Sequence, residues 1–259
     1  MYYIAKNPST PKVYKKLIQS CKYFSEKMPI LVVTNMYGNT TICSNEYCFR
    51  DDNKKCCVNI DLNKLSSKIW ITNKLILDEE NISTFASLII PKLFRWNIIE
   101  LNVITMDIMF NDFRICAPFL TDILFWGCRI INDDGNVVML DKILEIIPHI
   151  KNFDFRFKYD FSMINATTMK NMCKLKNLQS ISLFDIPEIF NVDDLSTFIK
   201  GHPDTEILFS FKQNISESYR VQLDSLIDTV IKFEASHCVI KYYGQNQERY
   251  KIMNKNVRH

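Results

Sequence analysis

The chain has 259 residues, of which 47% are hydrophobic and 24% charged, with only 5 glycines and 8 prolines. This composition is typical of a packed globular protein and excludes a disordered or low-complexity chain. The formal net charge of +3 is too small for a dedicated nucleic-acid binder. The apolar runs fall far short of the roughly 18 residues that span a bilayer, and the amino terminus lacks a signal-peptide pattern. We therefore expect an intracellular protein, in the cytoplasm or nucleus, with no membrane and no nucleic acid as partner.

The first predicted element is a short amphipathic helix close to the amino terminus. Lysines flank an apolar stripe with helical spacing. The stripe consists of Leu17, Ile18, Cys21 and Phe24. We assign this helical segment to residues 1–35 and treat residues 36–62 as a linker or irregular region.

Cysteines are numerous, but their spacing indicates no disulfide framework. There are nine, an odd number without a repeated interval, so reduced thiols are the simpler interpretation. A cluster of four suggests zinc as an alternative. Its members are Cys43, Cys48, Cys56 and Cys57. Only the first two approach the spacing of zinc ligands and no histidine lies nearby, so we expect no metal.

A repeat occupies the middle of the chain, with apolar residues at relative positions 1, 4 and 6. Two clear copies begin at Ile150 and Leu178, and further copies begin at Ile98, Leu120 and, in a weaker form, Asp204. The offsets of 22, 30, 28 and 26 residues centre on the length of a leucine-rich repeat. Weaker outer copies cover residues 66–71 and 236–241.

Segments with helical spacing lie between these strand-like copies, as a strand-plus-helix repeat requires. The predicted helices cover residues 82–94, 137–147, 193–200 and 216–233. Asp193 and Asp194 are expected to cap the third helix, and Gly201 to end it. Prolines before several strands support the same division, because proline cannot continue a helix.

The predicted fold is therefore α/β, with a leucine-rich-repeat-like solenoid over residues 63–245. Its parallel sheet would line a concave face, with helices outside and the short helical segment at the amino-terminal end. A doubly wound α/β sheet is the alternative, although no glycine-rich loop follows any strand. Residues 246–259 are predicted to form a solvated basic tail, with a contact to nucleic acid or an acidic partner as the alternative. Its cations are Arg249, Lys251, Lys255 and Arg258.

The run from Leu17 to Phe24 resembles the second half of an F-box, in which a hydrophobic pair precedes a Ser-Cys-Lys-Tyr-Phe-like sequence. Followed by repeats, the chain resembles the divergent F-box and leucine-rich-repeat proteins that are expanded in nematodes. This resemblance implies that Leu17, Ile18, Cys21 and Phe24 contact a Skp-type adaptor. It also implies a substrate-recognition subunit of a cullin-type (SCF) ubiquitin ligase. The chain departs from the family because it has no Leu-Pro-x-Glu element, so the box is shortened or degenerate.

No catalytic motif is present in the sequence. There is no His-Glu-x-x-His pair, no Gly-x-Ser-x-Gly elbow and no glycine-rich phosphate loop. His149 and His202 stand beside prolines at strand entries and are expected to be turn residues. We therefore predict a non-enzymatic protein without a cofactor. The alternatives are an α/β enzyme whose active site the sequence does not reveal and a repeat scaffold without a ubiquitin-ligase role.

What the repeat does predict is a binding surface, because residues between the buried positions face the other side of the strands. Position 7 of successive copies forms a column of Ile104, Trp126, Arg156, Phe184 and Ser210. Tryptophan and arginine dominate the energetics of protein interfaces. We predict that a protein partner binds the concave face through Ile104, Trp126, Asp154, Arg156 and Phe184. The alternative is that the amino-terminal region or a helix covers this column.

Overall fold

The structure, a computed structural model, describes residues 8–27, 29–38, 41–44, 57–78, 89–157, 160–233 and 237–255. The chain divides into two compact units, Met1–Asn102 and Val103–His259. Strands and helices build both units, and the second contains a mostly parallel sheet, so the protein is of the α/β class. The division between the units differs from the predicted boundary between residues 62 and 63.

Two short helices begin the first unit where the sequence predicts one. Helix α1 covers Pro11–Ser20 and helix α2 covers Lys22–Lys27. Thr10 caps α1, because its side-chain oxygen accepts a hydrogen bond from the Val13 N–H at 3.2 Å. Cys21 separates the two helices with an extended backbone, φ −157° and ψ 124°. The predicted stripe is therefore interrupted at its third member.

The first unit also contains a mixed sheet. Its strands are β1, Ile30–Tyr37; β2, Thr41–Cys43; β3, Cys57–Asn59; β4, Lys68–Leu77; and β5, Leu93–Trp96, the last preceded by a short helix α3, Ile90–Lys92. Strand β4 is parallel to β1 and β5, whereas β2 is antiparallel to β1 and β3.

Two sequence predictions for the first unit can be compared with these strands and helices. Strands β2 and β3 lie in the segment 36–62 that we expect to be irregular, because three-residue strands are too short to show an alternating pattern. The predicted helix over residues 82–94 lies outside the described residues as far as residue 88. Its remaining residues form the three-residue helix α3 and the start of β5.

Cys43 and Cys57 form a disulfide bond, which corrects the expectation that both are reduced thiols. They are directly opposed in the antiparallel pair of β2 and β3, with Cα atoms 4.4 Å apart. Strand pairing brings the two sulfurs together, and this is information that cysteine spacing does not contain. Cys48 and Cys56, the other members of the cluster, lie outside the described residues.

Eight strands follow in residues 100–255 as far as the structure describes them. They are β6, Glu100–Ile104, which begins in the first unit; β7, Asp107–Met109; β8, Asp122–Trp126; β9, Arg129–Ile131; β10, Asn152–Arg156; β11, Ser180–Ile186; β12, Glu206–Phe211; and β13, Cys238–Lys241. The main sheet of the second unit has the order β6-β8-β10-β11-β12-β13, as the repeat predicts. From β8 to β13 each neighbouring pair is parallel, while β7 and β9 form a separate parallel pair.

Helices connect these strands. They are α4, Phe110–Cys116, continued by a 3₁₀ turn at Ala117–Phe119; α5, Leu140–Glu145; α6, Thr168–Met172; α7, Val192–Gly201; α8, Glu217–Lys232; and α9, Gln247–Lys255. The bounds of α7 and α8 agree with the predicted helices to within one residue at each end. Helix α7 is capped by Asn191, whose side chain accepts a hydrogen bond from the Asp193 N–H at 2.7 Å. Asp193 and Asp194 therefore occupy the first turn and are not the cap.

The helices pack on one face of the parallel sheet. Phe113 of α4 lies 5.8 Å from Phe125 of β8, and Phe198 of α7 lies 6.0 Å from Phe209 of β12, measured between ring centroids. The predicted inward residues of β10 and β11 are all buried. These residues are Phe153, Phe155, Ile181 and Leu183. Because side chains alternate along a strand, the residues between them face the opposite side.

Residues 247–255 of the predicted carboxyl-terminal tail form a helix, whereas residues 256–259, with Arg258, lie outside the described residues. Helix α9 packs against β13 and α8. Its Arg249 forms ion pairs with Asp224 at 3.1 Å and with Asp228 at 2.9 Å, and its Met253 is buried. Arg249 is therefore paired with two aspartates of α8. Within the described ranges, none of the helices combines the length and the apolar character that crossing a membrane requires.

Candidate binding surface

The side chains of the predicted column lie next to one another on the uncovered face of the parallel sheet. Arg156 of β10 is directly opposed to Trp126 of β8 on one side and to Phe184 of β11 on the other. The Arg156 Cζ atom lies 4.4 Å from the centroid of the Trp126 ring and 4.9 Å from that of Phe184. The guanidinium group therefore lies between two aromatic rings.

The backbone holds this three-residue stack, Trp126–Arg156–Phe184, in register. The Thr105 N–H donates to the Trp126 carbonyl at 2.7 Å, and the Gly127 N–H donates to the Arg156 carbonyl at 3.0 Å. One step further, the Phe157 N–H donates to the Phe184 carbonyl at 3.0 Å. Each carbonyl of the stack is thus fixed by the strand before it, so the three side chains are placed by the sheet and not by flexible loops.

A repeated backbone conformation follows the column residues. Thr105, Gly127 and Asp185 come directly after Ile104, Trp126 and Phe184, and their φ angles are 55°, 60° and 58°. This left-handed region is readily adopted by glycine and tolerated by aspartate. The same turn after three strands is what a structural repeat would produce.

A polar row crosses the strands nearer to their amino-terminal ends. The Asn152 amide donates to the Asp122 carboxylate, which also accepts from the Thr121 hydroxyl. The Ser180 hydroxyl donates to the Asn152 side-chain oxygen at 2.8 Å. These groups satisfy one another, so this row is an unpromising place for a ligand.

The next residues along the strands, Leu124, Asp154 and Ser182, form a middle row. It differs from the polar row because the negative charge of its carboxylate is not balanced by a nearby cation of the described residues. Asp154 of β10 is half-buried beside Leu124 and Ser182, its neighbours in register on β8 and β11. Burial raises the pKa of the Asp154 carboxyl, and a hydrogen bond with Ser182 opposes this rise. Within the described part of the chain, no cation lies within ion-pair distance of Asp154.

A shallow cavity of about 240 Å³ connects the middle row with the stack. Its walls include Leu124, Trp126, Asp154, Arg156 and Phe184. Four of these five residues are site residues that the sequence predicts, and the structure brings them together. Leu124 lies on the same face, but the sequence assigns it no role. The remaining predicted residue, Ile104, is partly buried at the end of β6.

Asp185 is a residue of the surface that sequence analysis missed. Its carboxylate lies 3.9 Å from Arg156 Nε, and both side chains are more than one-third exposed. An exposed contact of this length contributes little to stability. Sequence could not have found it, because the left-handed turn at Asp185 carries its carboxylate back toward β10.

Trp126 is 43% exposed, so the described residues do not cover the stack. Within the described part of the second unit, no helix buries Trp126. The structure also holds the stack and the middle row on one face of one sheet. A single ligand can thus contact a guanidinium group, a carboxylate and flat apolar side chains on this surface.

The residues assigned to an adaptor are placed less favourably. Tyr14 of α1 is buried with Ile30 and Trp70, and Ile18 packs against this cluster. Phe24 of α2 is buried as well, with 8% of its surface exposed. Leu17 remains partly accessible and Cys21 is exposed. Of the four predicted contacts, two therefore serve the packing of the first unit.

The remaining predictions concern metal ligands and the histidines. Among residues that it describes, no group of three or more His, Cys, Asp or Glu side chains could hold a metal ion. His202 caps α7 and bridges two backbone carbonyls, those of Phe198 at 2.8 Å and Leu175 at 2.7 Å, as expected for a turn residue.

Comparison of the chain with models of protein families and with curated proteins gives no match.

Proposed function

We propose that this protein is a non-enzymatic interaction module that captures a protein partner on the uncovered face of its parallel sheet. The Trp126–Arg156–Phe184 stack would be the centre of the contact, with Asp154 and Ile104 beside it. The observation that carries this proposal is the exposure of Trp126 beside a guanidinium group that donates no hydrogen bond within the described chain. Tryptophan and arginine at the centre of a surface are the usual energetic anchors of protein complexes.

We further propose that residues 63–245 form a leucine-rich-repeat-like solenoid whose sheet lines the concave face. The strand order follows the chain order, and neighbouring strands pair in parallel with equivalent repeat positions opposed. The left-handed residue after the column position recurs in three copies. A doubly wound sheet would reverse its strand order at a switch point, so these features favour the repeat.

The test compares a site variant with a matched control in the full chain. The site variant carries Trp126→Ala and Arg156→Ala. The control carries Phe233→Ala and Lys200→Ala, which removes another exposed cation–aromatic contact, with Lys200 Nζ 5.4 Å from the Phe233 ring. Proteins retained from cell extract by the wild-type chain and by the control are purified, and each is then titrated with the wild-type chain, the control and the site variant.

The expected result is a loss of at least about 30-fold in affinity for the site variant, equivalent to about 2 kcal/mol. Circular dichroism should show that both variants fold. A purified partner that binds the folded site variant as tightly as the wild-type chain would refute the proposal.

A role in a cullin-type ubiquitin ligase is proposed as a second, separable property. Its support is the F-box-like run from Leu17 to Phe24, of which Leu17 and Cys21 are accessible on the first unit. The experiment is co-purification of the full chain with a Skp-type adaptor. Replacement of Leu17 and Cys21 by alanine should abolish a complex, and Gln19→Ala, an exposed change on the same helix, should not. Failure of the wild-type chain to bind the adaptor would leave a repeat scaffold without this role.

A further inference from the structure

The charges of the surface suggest what kind of segment it recognises. Asp154 and Arg156 are two residues apart on β10, so their side chains point to the same face of the sheet. Strand geometry separates their Cα atoms by about 6.6 Å. The same cavity is walled by both side chains. One strand therefore presents a negative and a positive group side by side.

Asp154 and Arg156 do not form an ion pair with each other. The only carboxylate of the described chain within ion-pair distance of Arg156 is that of Asp185, at 3.9 Å. Asp154 has a hydrogen bond with Ser182, and no cation of the described residues lies within ion-pair distance of it. Both charges are held beside apolar walls, where a complementary charge is worth more than it is in open water.

The stack also restricts how Arg156 can be approached. The Trp126 and Phe184 rings flank the guanidinium group on the two neighbouring strands, which leaves its exposed part for a ligand. A carboxylate binds the edge of a guanidinium group in the plane of the group, through charge-assisted hydrogen bonds. An acidic side chain therefore fits the open side of Arg156.

Nucleic acid fits this arrangement poorly. Asp122, Asp154 and Asp185 lie on or beside the same face and would repel a row of phosphates.

An extended polypeptide matches the spacing, because its own alternate side chains are separated like those of β10. We propose that the surface recognises an extended protein segment that carries one acidic and one basic side chain two residues apart. The acid contacts Arg156 and the base contacts Asp154. This inference rests on the proposed function and adds to it the chemical character of the partner.

The test uses a yeast-displayed library of random nine-residue peptides, sorted for binding to the purified full chain. Each selected peptide is tested again on Trp126→Ala, and only peptides that lose binding are analysed. We expect opposite charges at positions i and i+2 to be enriched at least fivefold over like charges. Arg156→Gln should remove the preference for an acidic side chain and keep the preference for a basic one. Asp154→Asn should remove the preference for a basic side chain and keep that for an acidic one. Lys200→Gln, which neutralises a cation of α7, is the control that should change neither.

The outcomes separate this inference from the proposed function. Peptides that depend on Trp126 but show no preference for opposite charges would overturn the inference and leave the binding surface in place. If the two neutralising variants remove the same preference, the assignment of acid and base to Arg156 and Asp154 is wrong. If no selected peptide depends on Trp126, the inference and the proposed surface fail together.

Discussion

Arg156 and Trp126 are directly opposed on neighbouring parallel strands, with the guanidinium carbon 4.4 Å from the centroid of the indole ring. The contact is intramolecular and exposed, so it orders both side chains before any partner arrives. An ordered arginine loses less conformational freedom on binding than a free one. Trp126 thus contributes to recognition in two ways, by its own area and by positioning its neighbour.

We expect the two side chains to be energetically coupled in the absence of a partner. A double-mutant cycle with Trp126→Ala and Arg156→Ala should give a coupling of about 0.5 to 1 kcal/mol in the free energy of unfolding, as for exposed cation–π pairs. Urea denaturation provides the measurement. Strict additivity of the two single changes would show that the stacking does not persist in solution.

Phe153 tests whether the strand register is right. It is fully buried in β10, and Phe153→Ala should lower the free energy of unfolding by about 3 to 5 kcal/mol through lost burial and a residual cavity. Lys151→Ala, an exposed change just before the same strand, is the control and should cost little. A loss of less than about 1 kcal/mol for Phe153→Ala would contradict the assigned register.

Asp154 should reduce stability at neutral pH. Because burial raises the pKa of its carboxyl in the folded state, the folded chain releases this proton less readily than the unfolded chain. The penalty is absent at pH values well below 3.8, where both states are protonated, and complete above the raised pKa. Asp154→Asn should therefore raise the melting temperature at pH 7 and have no such effect at low pH.

Asp134 offers a control with the opposite sign. Hydrogen bonds from the backbone and side chain of Asn136 lower the pKa of the exposed Asp134 carboxyl. Its stabilising effect is present at neutral pH and is lost as the pH falls through that lowered pKa. Asp134→Asn should thus lower the melting temperature at pH 7. If both variants changed the melting temperature at pH 7 in the same direction, burial would not be what determines the effect of Asp154 on stability.

Gly127 should be difficult to replace, whereas Gly201 should not. The left-handed φ of 60° at Gly127 costs an alanine roughly 1 to 2 kcal/mol, so Gly127→Ala should destabilise by about that amount. Gly201 ends helix α7 where an added methyl group would meet only open space, and Gly201→Ala should stabilise by about 0.5 to 1 kcal/mol. Thermal unfolding of the two variants side by side measures the difference. Similar losses for both would count against the turn after β8.

Thiol reactivity tests the burial of the cysteines and the disulfide bond. Iodoacetamide at pH 8 should modify the exposed Cys21 rapidly, and it should spare Cys116 and Cys238, because burial raises the pKa of each to about 12. Cys43 and Cys57 should become reactive only after a reductant is added. Peptide mass spectrometry identifies the modified residues. Labelling of Cys43 without reductant would show that the pair is not linked.

Sequence patterns predict the second unit well because the relevant information is local. Alternation along β10 and β11 places Phe153 and Leu183 inside, and it places Arg156 and Phe184 outside. The repeat then aligns neighbouring strands, which is enough to bring the stack together. The position of Arg156 between two aromatic rings follows from this register, although no single strand shows it.

The first unit and the carboxyl-terminal helix are predicted less well, because contacts between distant segments determine them. The disulfide depends on the pairing of β2 with β3, and neither strand is long enough to show a period. The burial of Phe24 depends on its packing within the first unit and not on its own helix. The ion pairs of Arg249 with α8 likewise join residues that no local pattern relates.

The chain-order pairing of strands β8 to β13 has a consequence for how the second unit folds and unfolds. Successive strands of this series meet through residues only 25 to 31 positions apart, as in the pairs Ile186 with Phe211 and Ile207 with Cys238. Loops of this size close at modest entropic cost, so neighbouring strands can join one at a time. Among the described strands, β13 has β12 as its single partner and can detach first, while the Trp126–Arg156–Phe184 stack stays assembled in the interior of the series.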